Sequence, residues 1–137
     1  MSTDVVVGTE LPEQVYRVTR GDLVRYAGAS GDFNVIHWNQ RVAVEVGLPD
    51  VIAHGMFTMA SAVRVVTDWL GDPGAVVEYG VRFTRPVVVP DDGVGALLEV
   101  TGRVTELLDD KRVKVELTVT SAGAKVLGQS RATVQLG

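Results

Sequence analysis

The chain of 137 residues contains no cysteine. It therefore cannot form a disulfide or a thiolate nucleophile, and the common cysteine-based zinc sites are excluded. An absence of disulfides is typical of proteins that work in a reducing compartment, so we expect a cytoplasmic location.

Clustered positive charge and long apolar runs are also scarce. The formal net charge is -4 and no run of Lys or Arg exceeds two residues, so we expect no nucleic-acid partner. The longest strongly apolar segment, residues 56–70, is interrupted by Arg64 and Asp68 and is too short to span a bilayer. The first five residues lack the features of a signal peptide. With 46% hydrophobic and 22% charged residues, the composition predicts one globular domain over residues 1–137.

The first half of the sequence predicts one short strand, at residues 13–19, and then helices. Thr19 and Asp22 are spaced as in a capping box, which begins the first helix, and the turn-forming run 28–34 ends it. A second short helix is expected from Asn39 to about Val46.

The third helix is expected over residues 54–70, because Gly71 and Pro73 follow it as a C-terminal stop. It is apolar on most of its circumference. A helix of this kind is normally buried on several sides.

The second half of the sequence predicts strands separated by short turns. Residues 112–120 alternate polar and apolar side chains without a fault, which indicates one wet and one buried face. Consecutive strands joined by short turns form an antiparallel sheet, and only the third helix is available to cover it. We therefore predict an α+β hot-dog fold, a curved antiparallel sheet wrapped around a central apolar helix, whose open edges favour dimerisation. The expected strands are 76–89 (with Pro86 and Pro90 at its end or on an edge), 95–107, 112–120 and 125–136.

Only two histidines are present, His37 and His54, and each precedes a predicted helix. Asp32 lies five positions before His37, so on a regular helix the two side chains would point roughly 140° apart. Gly31 and Asn34 favour a turn instead, in which a carboxylate and an imidazole can converge for general acid–base chemistry. The same residue types are ordinary turn formers, so the spacing alone leaves both interpretations open.

The second candidate segment, residues 53–56, begins the apolar helix. Unpaired amides at a helix N-terminus favour a developing negative charge, and Gly55 lets a ligand approach the backbone closely. Alternatively, Gly55 permits tight helix–sheet packing and His54 caps the helix. From the residues alone, this structural alternative is the stronger one.

Residues 30–37 (SGDFNVIH), with Ala43 six positions later, resemble the hydratase-2 motif of the MaoC-like family. Residues 53–56 (AHGM) and 79–86 (YGVRFTRP) resemble two further segments of that family, and the similarity extends from about residue 11 to 136. It is closest to the catalytic B subunit (HadB) of the actinobacterial (3R)-hydroxyacyl-ACP dehydratases.

The resemblance implies a hydro-lyase of the hot-dog fold. The expected activity is that of a (3R)-hydroxyacyl-thioester dehydratase, or (R)-specific trans-2-enoyl-thioester hydratase, in fatty-acid elongation. The substrate is carried by acyl carrier protein or coenzyme A, and no cofactor or metal is expected.

The resemblance also implies roles for individual residues. Asp32 and His37 are the expected catalytic pair, and the Gly55 amide is expected to polarise the thioester carbonyl. Asn34 matches the motif asparagine, which holds the loop or positions the reacting water. Gly31 and His54 are expected in supporting positions.

One departure from the family pattern is that Val35 stands where proline usually follows the asparagine. Proline constrains the preceding residue to extended geometry. Valine removes that constraint but carries no chemistry, so the rigidity of the loop is in question more than its activity.

A single hot-dog domain per chain implies at least a dimer, either a homodimer or a heterodimer with a second hot-dog subunit. The similarity to the B subunit favours the heterodimer. Several arginines are candidates for contacting phosphates or an acidic carrier protein, although for any one of them a solvated surface position is the commoner case. They are Arg20, Arg25, Arg41, Arg82 and Arg85.

Two other functions compete with the hydro-lyase. A hot-dog acyl thioesterase shares the helix and the carbonyl-polarising amide, but the order of Asp32, Asn34 and His37 argues against it. A non-catalytic accessory subunit of a dehydratase complex is the second, and such subunits tend to lose the Asp/His pair that this chain keeps.

Overall fold

The computed structural model describes residues 4–137, and the N-terminal residues 1–3, on which the signal-peptide prediction partly depends, lie outside the described residues. Five strands and three α-helices make up the fold, with short 3-10 turns at Val35–His37 and Pro73–Ala75. In the described part of the chain, no helix is long and apolar enough to cross a membrane. The elements are β1 (Glu10–Val18), α1 (Arg20–Ser30), α2 (Gln40–Glu45), α3 (Gly55–Leu70), β2 (Val76–Phe83), β3 (Ala96–Leu107), β4 (Arg112–Ser121) and β5 (Ala124–Gln135).

The strands form one antiparallel sheet in the order β1-β3-β4-β5-β2. Alternate side chains of β3 and β4 point inward, and the register pairs buried Val100 with Val119 and Val104 with Val115. Helix α3 lies against this inner face, where it contacts β1, β2, β3 and β4. The predicted hot-dog arrangement is confirmed. Strands β1 and β2 are left at the two edges of the sheet.

One stripe of α3 is fully buried, formed by Thr58, Ala62, Val65 and Val66 at helical spacing. Met56, at the start of the same helix, is 59% exposed. The expectation that α3 is buried on several sides is therefore met only in part in the single chain, because the sheet covers one face of the helix.

Three polar contacts fix α3 against the edge strands. The Tyr16 hydroxyl on β1 donates to Asp68 at 3.4 Å, and the Arg64 guanidinium lies 4.4 Å from the centre of the Tyr16 ring. The Tyr79 hydroxyl on β2 donates to the Met59 carbonyl at 2.9 Å. These contacts fix the position of α3 along its axis relative to the two edge strands, and they therefore also fix where its N-terminus lies.

The local sequence signals in the first half of the chain are confirmed. Thr19 and Asp22 form the reciprocal capping box of α1, and the side chain of Asn39 caps α2. Gly31 and Gly71 end α1 and α3 with φ of 77° and 66°, in the left-handed region where glycine is favoured.

The strand predicted over residues 76–89 is too long, because β2 ends at Phe83. The Thr84 and Arg85 amides still donate to the Val126 carbonyl of β5, at 3.1 and 3.5 Å, and from Val87 the chain runs beside residues 51–53 instead. The Ala53 amide donates to the Val87 carbonyl at 2.9 Å, and the Val89 amide donates to the Val51 carbonyl at 3.0 Å. Valines occur in both parts, which is why the sequence predicted one strand. However, β2 is half-buried or exposed along its length whereas Val87 and Val89 are buried, and the two parts pair with different neighbours.

Candidate active site

The loop between α1 and the first 3-10 turn is held by its own side chains. Asp32 Oδ1 accepts from the Asn34 amide at 3.2 Å, and Asn34 Oδ1 accepts from the Ile36 amide at 3.3 Å. The His37 amide donates to the Asn34 carbonyl at 3.1 Å. These successive Asx-type bonds fold residues 32–37 into a compact turn, although Val35 replaces the proline of the family motif.

Residues 51–53 run between this loop and the segment that follows β2. The Ile52 amide donates to the Ile36 carbonyl at 3.2 Å. In return, His37 Nδ1 lies 2.7 Å from the Ile52 carbonyl oxygen. The loop that carries Asp32 and the segment that leads into α3 are thereby joined at the position of His37.

The contact with Ile52 fixes the tautomer of His37. A carbonyl oxygen can only accept a hydrogen bond, so Nδ1 carries the hydrogen. In the neutral ring, Nε2 then holds the free lone pair, which is the form that a general base requires. The ring is 7% exposed and reaches the candidate cavity from this buried position.

His54 lies directly against His37, with the ring centroids 3.8 Å apart and the planes inclined by 22°. Its Nε2 lies 3.1 Å from the backbone carbonyl oxygen of Asp32, to which it donates. Although His54 is the N-cap residue of α3, its side chain makes no capping hydrogen bond. His54 therefore occupies the N-cap position, as the structural alternative required, but its ring caps no helix amide because it is bound to the Asp32 loop.

Burial lowers the pKa of His54 below its ordinary value, and the neighbouring His37 acts in the same direction. The hydrogen bond to the Asp32 carbonyl and the Asp32 charge act in the opposite direction, with the smaller net effect. The environment thus favours an uncharged His54.

The side chains of Asp32, His37 and His54 converge, because one ligand atom from each lies within 4.8 Å of the others. The predicted convergence of Asp32 and His37 is confirmed as geometry. Three such groups at this separation could hold a metal ion. However, one nitrogen of each imidazole is already committed to a carbonyl, and stacked rings direct their nitrogens side by side rather than toward a common point. The arrangement therefore suits proton transfer better than metal coordination.

A cavity of about 330 Å³ opens beside His37. Its wall includes Gly55 and Thr58 of α3, and the remaining lining is largely apolar, from the segment after β2 and from β5. Thr58 N donates to the His54 carbonyl at 3.1 Å, which is the first hydrogen bond of the helix ladder. The amides that precede Thr58 have no partner within the helix, so the cavity meets the positive end of α3.

Gly55 is packed against the aromatic ring of Phe83. A β-carbon at position 55 would lie 3.0 Å from Phe83 Cε1 and 3.1 Å from Cζ. Gly55 therefore does permit close helix–strand packing, as the structural alternative required. Because Gly55 also lines the cavity, the two interpretations are compatible.

The family model of the MaoC-like domain matches residues 5–124. The chain belongs to the MaoC-like family. Among curated MaoC-like relatives, the 3-hydroxyacyl-thioester dehydratase X of Mycobacterium tuberculosis is 43% identical over 79 residues, which is 58% of this chain and 27% of that protein. The (R)-specific enoyl-CoA hydratase of Rhodospirillum rubrum is 35% identical over 120 residues, covering 87% of this chain and 80% of that protein. Both names describe hydro-lyases, as the sequence predicts.

Solved MaoC-like structures agree with the fold. A protein described as a MaoC-like dehydratase superimposes with a TM-score of 0.93 at 43% identity, covering 98% of this chain and 41% of that one. The HadBC (3R-hydroxyacyl-ACP dehydratase) complex of M. tuberculosis contains a chain that superimposes with a TM-score of 0.72 at 20% identity, covering 97% of this chain and 98% of that one, and so shares the fold. This chain thus spans less than half the length of dehydratase X and of the first of these structures.

The five candidate arginines differ in the contacts that they make. Three form ion pairs with acidic side chains of the chain itself: Arg20 with Asp50, Arg25 with Asp22 and Arg41 with Glu45. Arg82 is the residue before the end of β2, Arg85 lies two residues beyond the strand, and Arg85 lines the cavity beside His37. Of the original candidates, Arg85 is therefore the one placed to meet a bound ligand.

Sequence reasoning missed two contributors to this MaoC-like site. Ile52 acts through its backbone carbonyl, which leaves no signal in its side chain. Phe83 lies within the segment 79–86 that resembles the family pattern, but nothing in that pattern indicated that its ring would cover Gly55.

Proposed function

We propose that this MaoC-like chain catalyses the reversible interconversion of a (3R)-hydroxyacyl thioester and a trans-2-enoyl thioester plus water. The observation that carries the proposal is the convergence of the Asp32 carboxylate with the His37 imidazole beside a cavity that meets the N-terminus of α3. The names of the relatives support the same reaction class.

In the dehydration direction, His37 Nε2 removes the proton from the carbon next to the thioester carbonyl. Ile52 holds the opposite nitrogen, so the base faces the substrate in the required tautomer. The hydroxyl on the neighbouring carbon leaves as water, with a proton supplied through Asp32, and the proton on His37 then restores Asp32. Because each step is reversible, hydration uses the same two groups in the opposite direction.

The thioester oxygen gains negative charge when the neighbouring carbon loses its proton. We propose that the Gly55 amide donates to this oxygen, helped by the dipole of the 16-residue helix α3. Asn34 acts indirectly, because its side chain and carbonyl hold the turn that carries Asp32 and His37.

We further propose that residues 1–137 form one hot-dog domain that works in the cytoplasm with a second hot-dog subunit, either a copy of itself or a different chain. The exposed edge strand β2 and the open side of α3 support a partner on that side. The substrate is carried by coenzyme A or acyl carrier protein, and fatty-acid elongation is the expected setting.

The test is the loss of enoyl-thioester absorbance when water adds to a trans-2-enoyl-CoA, with chiral analysis of the product. The chain is assayed alone and together with a hot-dog subunit encoded by a neighbouring gene. Asp32→Asn and His37→Ala should each lower kcat by at least about 10²–10⁴-fold in a folded protein. Asp91→Asn, which changes a carboxylate in a turn away from the site, is the matched control and should retain the wild-type rate.

Near-normal rates in folded Asp32→Asn and His37→Ala would refute the assignment. Release of free thiol from an acyl-CoA would instead indicate a thioesterase. If the reconstituted complex is active and remains so when Asp32 and His37 of this chain are changed, this chain is an accessory subunit.

A further inference from the structure

His54 contacts both members of the proposed catalytic pair. Its ring stacks on His37 at 3.8 Å, and its Nε2–H donates to the carbonyl of Asp32 at 3.1 Å. On another side, the Tyr26 ring packs against His54 edge to face with the centroids 4.8 Å apart. The imidazole, 2% exposed, is thus clamped between α1 and His37.

The polar character of His54 is not explained by packing or by helix capping. Nδ1 is buried and has no hydrogen-bond partner among the described residues, and the side chain makes no capping bond to α3. Buried polar atoms are normally paired, since an unpaired one is destabilising. A phenyl ring would fill the same space without that penalty, so what distinguishes histidine here is the donor that reaches Asp32.

We propose that His54 is a positioning residue that holds the carboxylate of Asp32 and the imidazole of His37 at their working separation. The hydrogen bond fixes the backbone of the Asp32 turn, and the stacked ring limits rotation of His37 about its side-chain bonds. This inference rests on the proposed acid–base function of that pair.

His54 is not among the residues that line the cavity, its Nε2–H is bound to the Asp32 carbonyl and its Nδ1 is buried, so neither ring nitrogen faces a substrate. The titratable groups that face it are Asp32, His37 and Tyr26, and burial lowers the pKa of His54 despite the nearby carboxylate. An uncharged His54 neither competes with His37 for the substrate proton nor repels the His37 cation that forms during turnover.

Two substitutions separate the two contacts. His54→Phe retains a flat ring for stacking on His37 but removes the donor to Asp32. His54→Gln retains a donor but removes the ring. Because misplacing reacting groups by about 1 Å costs up to about 10²-fold, we expect each variant to lower kcat by about 10- to 100-fold. KM should change by less than about threefold, since ground-state binding is not altered, and His54→Ala should lose more than either variant.

Val65→Ala is the matched control for effects that arise through stability alone. Val65 is 1% exposed on the same helix, farther along α3 from the cavity. This variant should lose thermal stability while keeping kcat close to the wild-type value. If it loses kcat to the same extent as His54→Phe, the decrease reflects weakened folding and the positioning role is refuted.

The wild-type protein supplies a second measurement that does not depend on folding of a variant. With two histidines in the chain, the ¹⁵N spectrum of the ring nitrogens is simple to assign. We expect His54 to hold its hydrogen on Nε2 in the neutral form. A spectrum with the hydrogen on Nδ1, or a fully charged His54 near neutral pH, would overturn the proposal.

The proposed function and the positioning role of His54 can be refuted independently of each other. If Asp32→Asn and His37→Ala keep their activity, the proposed function is wrong. If both lose activity while folded His54→Phe and His54→Gln keep wild-type kcat, the acid–base assignment stands and the positioning role alone is refuted.

Discussion

Val35 occupies a position at which the backbone is already suited to proline. Asn34, the residue before it, has φ of -54° and ψ of 126°, which is close to the extended geometry that a following proline imposes. Val35 is the first residue of the 3-10 turn Val35–His37, where proline is favoured. The Val35 amide donates no hydrogen bond to any of the described residues. We therefore expect Val35→Pro to be accommodated without strain.

The expected increase in the free energy of unfolding arises from an effect on the unfolded chain. A proline that fits its native backbone stabilises a protein by about 0.4–1 kcal/mol, because the unfolded state loses conformational freedom. The entropy of unfolding scales at about 2.1 cal/mol/K per residue, or about 0.29 kcal/mol/K for this chain length. The substitution should then raise Tm by about 1–4 °C. Calorimetry measures this shift, and the hydration assay should show unchanged kcat because the bonds of Asp32 and Asn34 are retained.

Ile36→Pro provides a control one residue away. The Ile36 amide donates to Asn34 Oδ1 at 3.3 Å, and proline there would remove this donor and force Val35 out of its turn. This variant should lower Tm and reduce activity together. A lower Tm in Val35→Pro, or loss of activity in that variant, would show that the loop in solution does not have the described conformation.

Two further outcomes follow from contacts at the site. In Gly55→Ala the new methyl group would lie about 3.0 Å from the Phe83 ring and would narrow access to the residue 55 amide, so kcat/KM should fall by up to about 10²–10³-fold. The double variant with Phe83→Ala should recover part of the lost kcat/KM. Wild-type activity in folded Gly55→Ala would contradict the proposed contact between this amide and the thioester carbonyl. Burial lowers the pKa of His54, so the unfolded chain binds a proton at this histidine more readily than the folded chain does. The contribution of His54 to the free energy of unfolding is therefore fully present above the ordinary histidine pKa of about 6.5 and is lost as the pH falls below it. Between about pH 7 and pH 5, Tm should decrease more in the wild type than in His54→Gln, because the variant lacks this titrating group while Asp22, whose pKa is lowered by the Thr19 amide, is present in both proteins. Equal decreases would show that His54 is not the group responsible.

Features that depend on a few neighbouring residues could be predicted from the sequence. The capping box of Thr19 and Asp22, the glycine that ends α3 and the alternation of β4 are each determined within one turn or one strand. The boundary of β2 could not be predicted in this way. Valines occur both before and after Phe83, at positions 76, 77 and 81 and at 87–89, and the change of neighbour from β5 to residues 51–53 is a tertiary event.

The candidate site shows the same division. The types and spacing of Asp32, Asn34 and His37 indicated a turn that could bring two titratable groups together, and resemblance to a family was needed to choose chemistry over structure. The family resemblance indicated a supporting position for His54, but its contacts could not be inferred, because they join segments separated in sequence. The Ile52 carbonyl binds His37 from 15 residues away, and His54 reaches the Asp32 carbonyl across 22 residues.

The exposure of the site in the single chain bears on how its activity should be measured. Phe83 and Val77 on the edge strand β2 are 53% and 47% exposed, and Met56 and Phe33 beside the site are 59% and 63% exposed. Exposed apolar side chains next to an unpaired sheet edge are typical of an interface. A second hot-dog subunit along β2 would cover the same residues that border the cavity and would exclude water from the charges that develop there, which strengthens each electrostatic contact. Low turnover by the isolated chain would therefore argue against the acid–base pair only if the reconstituted complex were also inactive.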